Sequence, residues 1–201
     1  MKLYYFPIAP NPTRVRLFIR EKGIEIEEVL VDLRKGQQQT PEHLARNPRG
    51  TLPVLELDNG DYIAESLPIM EYFEELQPEP VMIGSDPMAR LKMREYERLV
   101  ETEILNRLAR IVHSTNSPLG LPPRPEISGP ELERLPAAYR RIDERIGDNP
   151  FAAGQQPSIV DCTLFAGLQF GEFGGVQMPA DYVNLRRWHA AFRARHSSLD
   201  G

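Results

Sequence analysis

The hydrophobic period of this chain changes once, at Gln77-Pro78-Glu79-Pro80, and that change limits the fold more than any other feature. Before it, strand-like apolar runs alternate with helical stripes; after it, the spacing is helical only. Two prolines one residue apart cannot continue a helix, so the segment reads as a linker. The expected organisation is a domain over 1–77, a linker over 78–86 and an all-helical domain over 87–201.

The first part reads as β-α-β-α-β-β-α. Residues 2–6 are a short apolar run ending at Pro7, which suits a buried strand. From Pro12 to Lys22, Val15, Phe18 and Ile19 stand at helical spacing, and Gly23 stops the helix. Ile24 to Val31 alternates as a second strand. A strand–helix–strand unit favours a parallel pair with a right-handed crossover. A polar loop over 36–40 leads to a short helix, Pro41–Arg46, closed by Asn47-Pro48-Arg49-Gly50. Pro53–Leu57 and Tyr62–Ala64 flank Asp58-Asn59-Gly60, a hairpin-turn signal. Ser66 is the expected N-cap of a helix carrying Leu67, Met70, Tyr72 and Phe73.

In the second part Met93, Tyr96, Val100, Ile104, Leu108 and Ile111 mark one long amphipathic helix from Pro87. Leu132, Leu135, Tyr139, Ile142 and Ile146 mark another, after a proline-rich loop over Pro118–Pro130. Further helices are expected from Ser158 and over Leu185–Arg195. The single cysteine, Cys162, excludes an internal disulfide framework, a Cys-x-x-Cys pair and a multi-cysteine zinc site. His43, His113, His189 and His196 show no metal-ligand spacing, so no metal is expected. Net charge is −5; of 24 basic and 29 acidic residues, 9 and 14 lie before residue 80. Neither part is basic in excess, which argues against a nucleic-acid partner. No window approaches the ~20 apolar residues of a membrane span, and the early prolines at 7, 10 and 12 interrupt any signal-peptide core. A cytoplasmic address follows by default.

Several motifs admit two readings. Pro53 suits a strand start; alternatively, a cis Leu52–Pro53 bond would leave the Leu52 backbone N–H and C=O free for a peptide-like ligand. Ser66 caps a helix, or that helix start holds a carboxylate while Glu65 pairs with a ligand ammonium. Ser158-x-x-Asp161 is a capping box with Asp in place of Glu and reads as structural. Cys162 beside it reads as a small buried side chain, and Trp188 and Phe192 read as core.

Taken together, Leu3-Tyr4-Tyr5-Phe6, then Pro10 to Arg16, then Arg46 to Pro53, then Glu65-Ser66 and Ser158-x-x-Asp161 resemble the cytosolic glutathione S-transferase family, bacterial type, over nearly the whole chain. The resemblance implies an α/β thioredoxin-like N-terminal domain, an all-α C-terminal domain, a glutathione site and a homodimer. It implies that Pro53 is the family's cis-proline and that Leu52 offers backbone bonds to the cysteinyl part of glutathione. Glu65 and Ser66 match the pair that binds the γ-glutamyl end. Gln38, Gln39 and Thr51 fall near the glycyl end. The sequence departs from the family at Ala9, where many relatives carry Ser, Thr or Cys. Asn11 and Tyr5 remain as candidate donors to the thiolate.

The expected activity is a transferase that ionises glutathione, its co-substrate, for attack on an electrophilic small molecule in detoxification. A glutathione-dependent disulfide or peroxide reductase, and a non-catalytic binding protein of the same fold, stand as alternatives. The electrophile's pocket is expected to draw on the loop after the first strand, the helix from Tyr96 to Arg107 and the proline-rich loop.

Overall fold

The computed structural model describes residues 1–197; the last four positions of the 87–201 span fall outside them. The chain forms two compact units, Met1–Pro80 and Val81 onward. The first unit contains β1 (Lys2–Tyr5), α1 (Pro10–Glu21), β2 (Glu27–Leu30), α2 (Pro41–Arg46), β3 (Val54–Glu56), β4 (Tyr62–Ala64) and α3 (Ser66–Leu76). Two 3-10 turns, Leu33–Lys35 and Gln37–Gln39, lie between β2 and α2. The sheet order is β2-β1-β3-β4, with β1 parallel to β2 and antiparallel to β3, and β3 antiparallel to β4. This is the thioredoxin-like arrangement implied by the resemblance.

Two element starts in the first unit differ from the sequence reading by two residues or more. α1 starts at Pro10 instead of Pro12, because both prolines sit in the first turn, where N–H groups have no intrahelical partner. β2 starts at Glu27 instead of Ile24. Gly23, at φ +66°, turns the chain back, and the Ile24 N–H bonds to the Ile19 carbonyl at 2.9 Å. Ile24 therefore finishes the helix and does not begin the strand.

α1 and α3 pack together through Phe18, Ile19, Ile69, Met70 and Phe73, all buried. Lys22, only 2% exposed, ends α1. Its Nζ donates to the carbonyl oxygens of Gln77 (2.7 Å), Pro78 (3.1 Å) and Pro80 (2.7 Å) and pairs with the Glu74 carboxylate. The Pro-rich segment that interrupts the helical pattern is thus fastened back onto α1.

The second unit is helical: α4 (Pro87–Val100), a π segment (Glu101–Leu105), α5 (Asn106–Thr115), α6 (Pro125–Ile146), α7 (Ile159–Phe173) and α8 (Val183–Arg195). The first three follow one another without a break, as the single helix expected from Pro87. The π segment has a cause in the spacing. Tyr96, Val100, Ile104 and Leu108 are all buried and each four residues apart. Twelve residues over three turns exceed three α-turns by about one residue, and one i→i+5 turn absorbs the excess.

α6 corrects the expected loop: it begins at Pro125, carries Pro130 and Pro136 inside, and leaves Leu132 exposed. A proline in a helix interior removes one backbone bond, the one to the carbonyl four residues earlier; separately, the Pro136 carbonyl accepts from the Tyr182 hydroxyl at 3.1 Å. α7 is the core helix, with twelve of its fifteen residues buried, Cys162 among them. A Cβ added to Gly167 would stand 2.8 Å from the Leu105 Cα, so glycine is what lets α7 approach the π segment.

Ser158 and Asp161 form the expected capping box at the start of α7. Asp161 does more than cap. Its fully buried carboxylate accepts from the Ser158 N–H (2.9 Å), the Ser158 hydroxyl (2.7 Å), the Ala152 N–H (2.7 Å) and the Trp188 indole N–H (2.7 Å). Burial raises its pKa, against these four bonds, which lower it. Asp161→Ala strands four buried donors, so chemical denaturation is expected to show a loss of about 2–5 kcal/mol. Asp161→Asn, which keeps one acceptor oxygen, loses less. A loss under about 0.5 kcal/mol for Asp161→Ala would mean that the carboxylate does not hold this corner together.

Candidate functional site

Among the described residues, two with side chains adopt positive φ, Ile8 (+68°) and Glu65 (+72°). Such backbone costs on the order of 1–3 kcal/mol per residue and concentrates at functional sites. Ile8 lies in the loop entering α1, and Glu65 is the N-cap of α3. A hydrogen-bond network, buried at Arg14 and Ser66, ties these two helix entrances together. Arg14 Nε donates to Ser66 Oγ at 2.8 Å, and Ser66 Oγ donates to Asn11 Oδ1 at 3.3 Å. Arg14 is 3% and Ser66 1% exposed. Ser66 is accordingly the first residue inside α3 and not its cap, because its hydroxyl faces α1.

The loop before β3 forms the next wall. Asn47, buried, donates through Nδ2 to the Thr51 carbonyl (3.0 Å) and hydroxyl (2.9 Å), and its Oδ1 accepts from the Arg49 N–H (3.1 Å). His43 Nε2 stands 3.2 Å from the same carbonyl; a carbonyl only accepts, so that nitrogen carries the proton. Arg49 pairs with the Glu65 carboxylate. The Leu52–Pro53 peptide is cis, the second of the two readings of that motif, and Leu52 precedes the first paired residue of β3, Val54.

Gln38 and Gln39 occupy the 3-10 turn before α2. They meet the loop at Gly50, where an added Cβ would lie 2.5 Å from Gln39 Nε2 and 3.0 Å from the Gln38 carbonyl. The Gln38 Oε1 is buried without a hydrogen-bond partner among the described residues. Contacts therefore run from Gln38 and Gln39 through Gly50 to Thr51 and Leu52, from Arg49 to Glu65, and from Ser66 to Asn11.

Tyr5 stands apart from this chain of contacts. Its ring lies beneath the Arg16 guanidinium, 4.4 Å from the centroid, while Arg16 grips Glu28 at 2.7 and 3.0 Å. Tyr4, on the opposite face of β1, donates to Glu56 at 2.6 Å. Burial, then that bond to a carboxylate, push its pKa up to about 12 despite the nearby Arg46. Tyr4 therefore stays protonated and committed to Glu56.

Sequence reasoning assigned no role to Arg14, Asn47, His43 or Arg49. For Arg14 a signal was present: residues 14, 18 and 22 share one helix face, and a cation stands at each end of that apolar stripe. In the second unit, α5, the proline-rich segment and the start of α6 enclose a cavity of about 370 Å³ beside His113, whose pKa burial lowers. Among the described residues no group of three or more His, Cys, Asp or Glu side chains could hold a metal. No helix among them is long and apolar enough to cross a membrane.

The sequence matches the family models described as the glutathione S-transferase N-terminal domain, over residues 3–81, and C-terminal domain, over residues 96–191. Glutathione S-transferase 2 of Saccharomyces cerevisiae is 32% identical, across 98% of this chain and 87% of that protein. A maleylacetoacetate isomerase of Pseudomonas aeruginosa is 30% identical, across 98% and 95%. The crystal structure of Gtt2 from Saccharomyces cerevisiae superposes with a TM-score of 0.91 at 31% identity, covering 99% of this chain and all of that one.

The close approach at Gly50 is open to test against Gly60, which also has positive φ but open space around it. Gly50→Ala is expected to destabilise by about 1–3 kcal/mol, and by more than Gly60→Ala, which meets only the backbone cost. Equal losses in denaturant titrations would remove the crowding argument.

Proposed function

The chain belongs to the glutathione S-transferase family and is an enzyme of the transferase class, and on that footing we propose how its residues hold and activate glutathione. The observation that carries the reading is the Arg14–Ser66–Asn11 network, buried at Arg14 and Ser66 and half-buried at Asn11, with Glu65 exposed beside it. A helix start and a hydroxyl suit a carboxylate, and an adjacent acid suits an ammonium; the γ-glutamyl end of glutathione has both. Glu65 takes the ammonium and Ser66 the carboxylate. Leu52 offers its backbone N–H and C=O to the cysteinyl part, beside Pro53. Gln38, Gln39 and Thr51 receive the glycyl end, and the unpartnered Gln38 oxygen favours a polar ligand there.

The activating step is electrostatic. A thiol with pKa near 8.5 must be held as thiolate near neutral pH. One donor contributes roughly 1.5–3 kcal/mol to a charged acceptor, enough to bring the thiol into that range. Asn11 is our main donor, with Tyr5 in reserve. Supporting Asn11 are its place in the first turn of α1, where the helix dipole favours an anion, and its link to Ser66. Against Tyr5 stands its position under Arg16. The thiolate sulfur then bonds to the electrophilic carbon, and the displaced group leaves with its electron pair.

The relatives' names favour the transferase over the reductase and over a non-catalytic binding protein, and the Pseudomonas relative adds an isomerase assay to the panel. We further propose a cytoplasmic homodimer acting in detoxification, as the family resemblance implies; exposed Tyr62 and Leu76 in the first unit, and separately Met88 and Leu91 in the second, are apolar side chains of the kind a dimer covers.

Calorimetry is expected to show Ser66→Ala and Glu65→Ala each weakening glutathione by about 1–3 kcal/mol. A wild type that fails to bind glutathione at millimolar concentration would defeat the whole reading.

The thiolate absorbance of bound glutathione, followed against pH, separates the two donors. Asn11→Ala is expected to raise the thiol pKa and Tyr5→Phe to leave it in place. A rise in Tyr5→Phe alone would reverse the assignment, and no change in either would hand the role to backbone N–H groups.

A further inference from the structure

We infer that Arg14 is a positioning residue that makes Ser66 an obligate hydrogen-bond donor, and that a ligand carboxylate at the start of α3 takes the Ser66 proton from Asn11. The inference rests on the proposed placing of the γ-glutamyl end at Glu65 and Ser66. A guanidinium has five N–H donors and no acceptor, so the 2.8 Å contact between Arg14 Nε and Ser66 Oγ has a single polarity: Ser66 accepts. A hydroxyl has one proton, and with its oxygen engaged by Arg14 that proton points at Asn11, 3.3 Å away. Because Ser66 donates there, the atom facing it is the amide oxygen, which assigns the orientation of the Asn11 side chain.

The two bonds differ in length, and so in what can break them. The bond from Arg14 is short and buried at both ends; the bond to Asn11 is the longer. A carboxylate is a charged acceptor, and charge-assisted bonds are shorter and about twice as strong as neutral ones. Arriving at the start of α3, it outcompetes the amide oxygen for the one available proton. Arg14 keeps the Ser66 oxygen in place throughout. The Asn11 oxygen loses its partner, and the amide is released to turn its Nδ2 toward sulfur. Recognition of the carboxylate at the γ-glutamyl end of the peptide is thereby coupled to the readiness of the donor at its central sulfur.

The test follows the Asn11 side-chain amide signals of the whole chain by NMR, identified by their loss in Asn11→Ala. The probe is γ-glutamylalanine, which has the α-carboxylate and no thiol. In wild type the Asn11 signals are expected to move in step with binding. In Ser66→Ala they are expected to start displaced and to stay there when the probe is added. Arg14→Met is expected to weaken the probe about tenfold. Adding Arg14→Met to Ser66→Ala is expected to change affinity by less than about twofold, since both break one unit. Asn11 signals that stay still while the probe binds wild type overturn the inference, whether or not Arg14→Met folds. So does a double variant in which the two losses add. If wild type binds neither γ-glutamylalanine nor glutathione, the underlying glutathione reading fails first and takes this coupling with it.

Discussion

A parallel register lock between α1 and α3 governs the first unit. At their N-terminal ends Arg14 holds Ser66; at their C-terminal ends Lys22 holds Glu74. The two members on α1 are eight residues apart, and so are the two on α3. Eight residues span about 12 Å along each helix, so the helices run in the same direction at matched height. All four side chains are nearly fully buried. A slip of one residue would part both contacts at once and strand two buried cations, each typically worth several kcal/mol. Phe18 fills the space between, under the Lys22 ammonium at 5.6 Å from its centroid.

That lock fixes the Ser66 oxygen against Arg14 through the fold alone. At their C-terminal ends the helices close over the chain at 77–80, where Lys22 satisfies three carbonyls. A hydroxyl already fixed by Arg14 costs little further ordering when a partner arrives at the start of α3. The loop from Asn47 to Pro53 has its own internal bracing, and only Gly50 permits the turn carrying Gln38 and Gln39 to touch it. Strain at Ile8 and Glu65 is held by those neighbours and not by local preference.

Much of this was legible from residue order. The period change at the Pro-rich segment separates a sheet-bearing unit from a helical one, and Asp58-Asn59-Gly60 marks the hairpin between β3 and β4. Periodicity misplaced the start of β2, because it reports apolar alternation and not the turn at Gly23 that returns Ile24 to the helix. It hid the start of α6, because proline reads as a breaker even where a first turn tolerates it. Ser66 was legible as a helix-start residue, but its direction was not: whether a hydroxyl faces its own backbone or a buried arginine is decided by tertiary contact. The arginine was visible as a cation on an apolar face; its partner, more than fifty residues away, was not.

The π segment in the long helix has a consequence for how this chain tolerates insertion and deletion. One surplus residue there rotates everything downstream by about 100° relative to a regular helix. Losing a single residue between 101 and 105 would leave an uninterrupted helix with better local geometry. It would also swing Leu108 and Val112 away from the glycines at 171 and 174 that they pack against. A change that a helix propensity scale scores as an improvement would thus unseat the core. Length at this point is as tightly specified as any side chain, and a chain one residue shorter here would have to re-evolve the facing surface of α7.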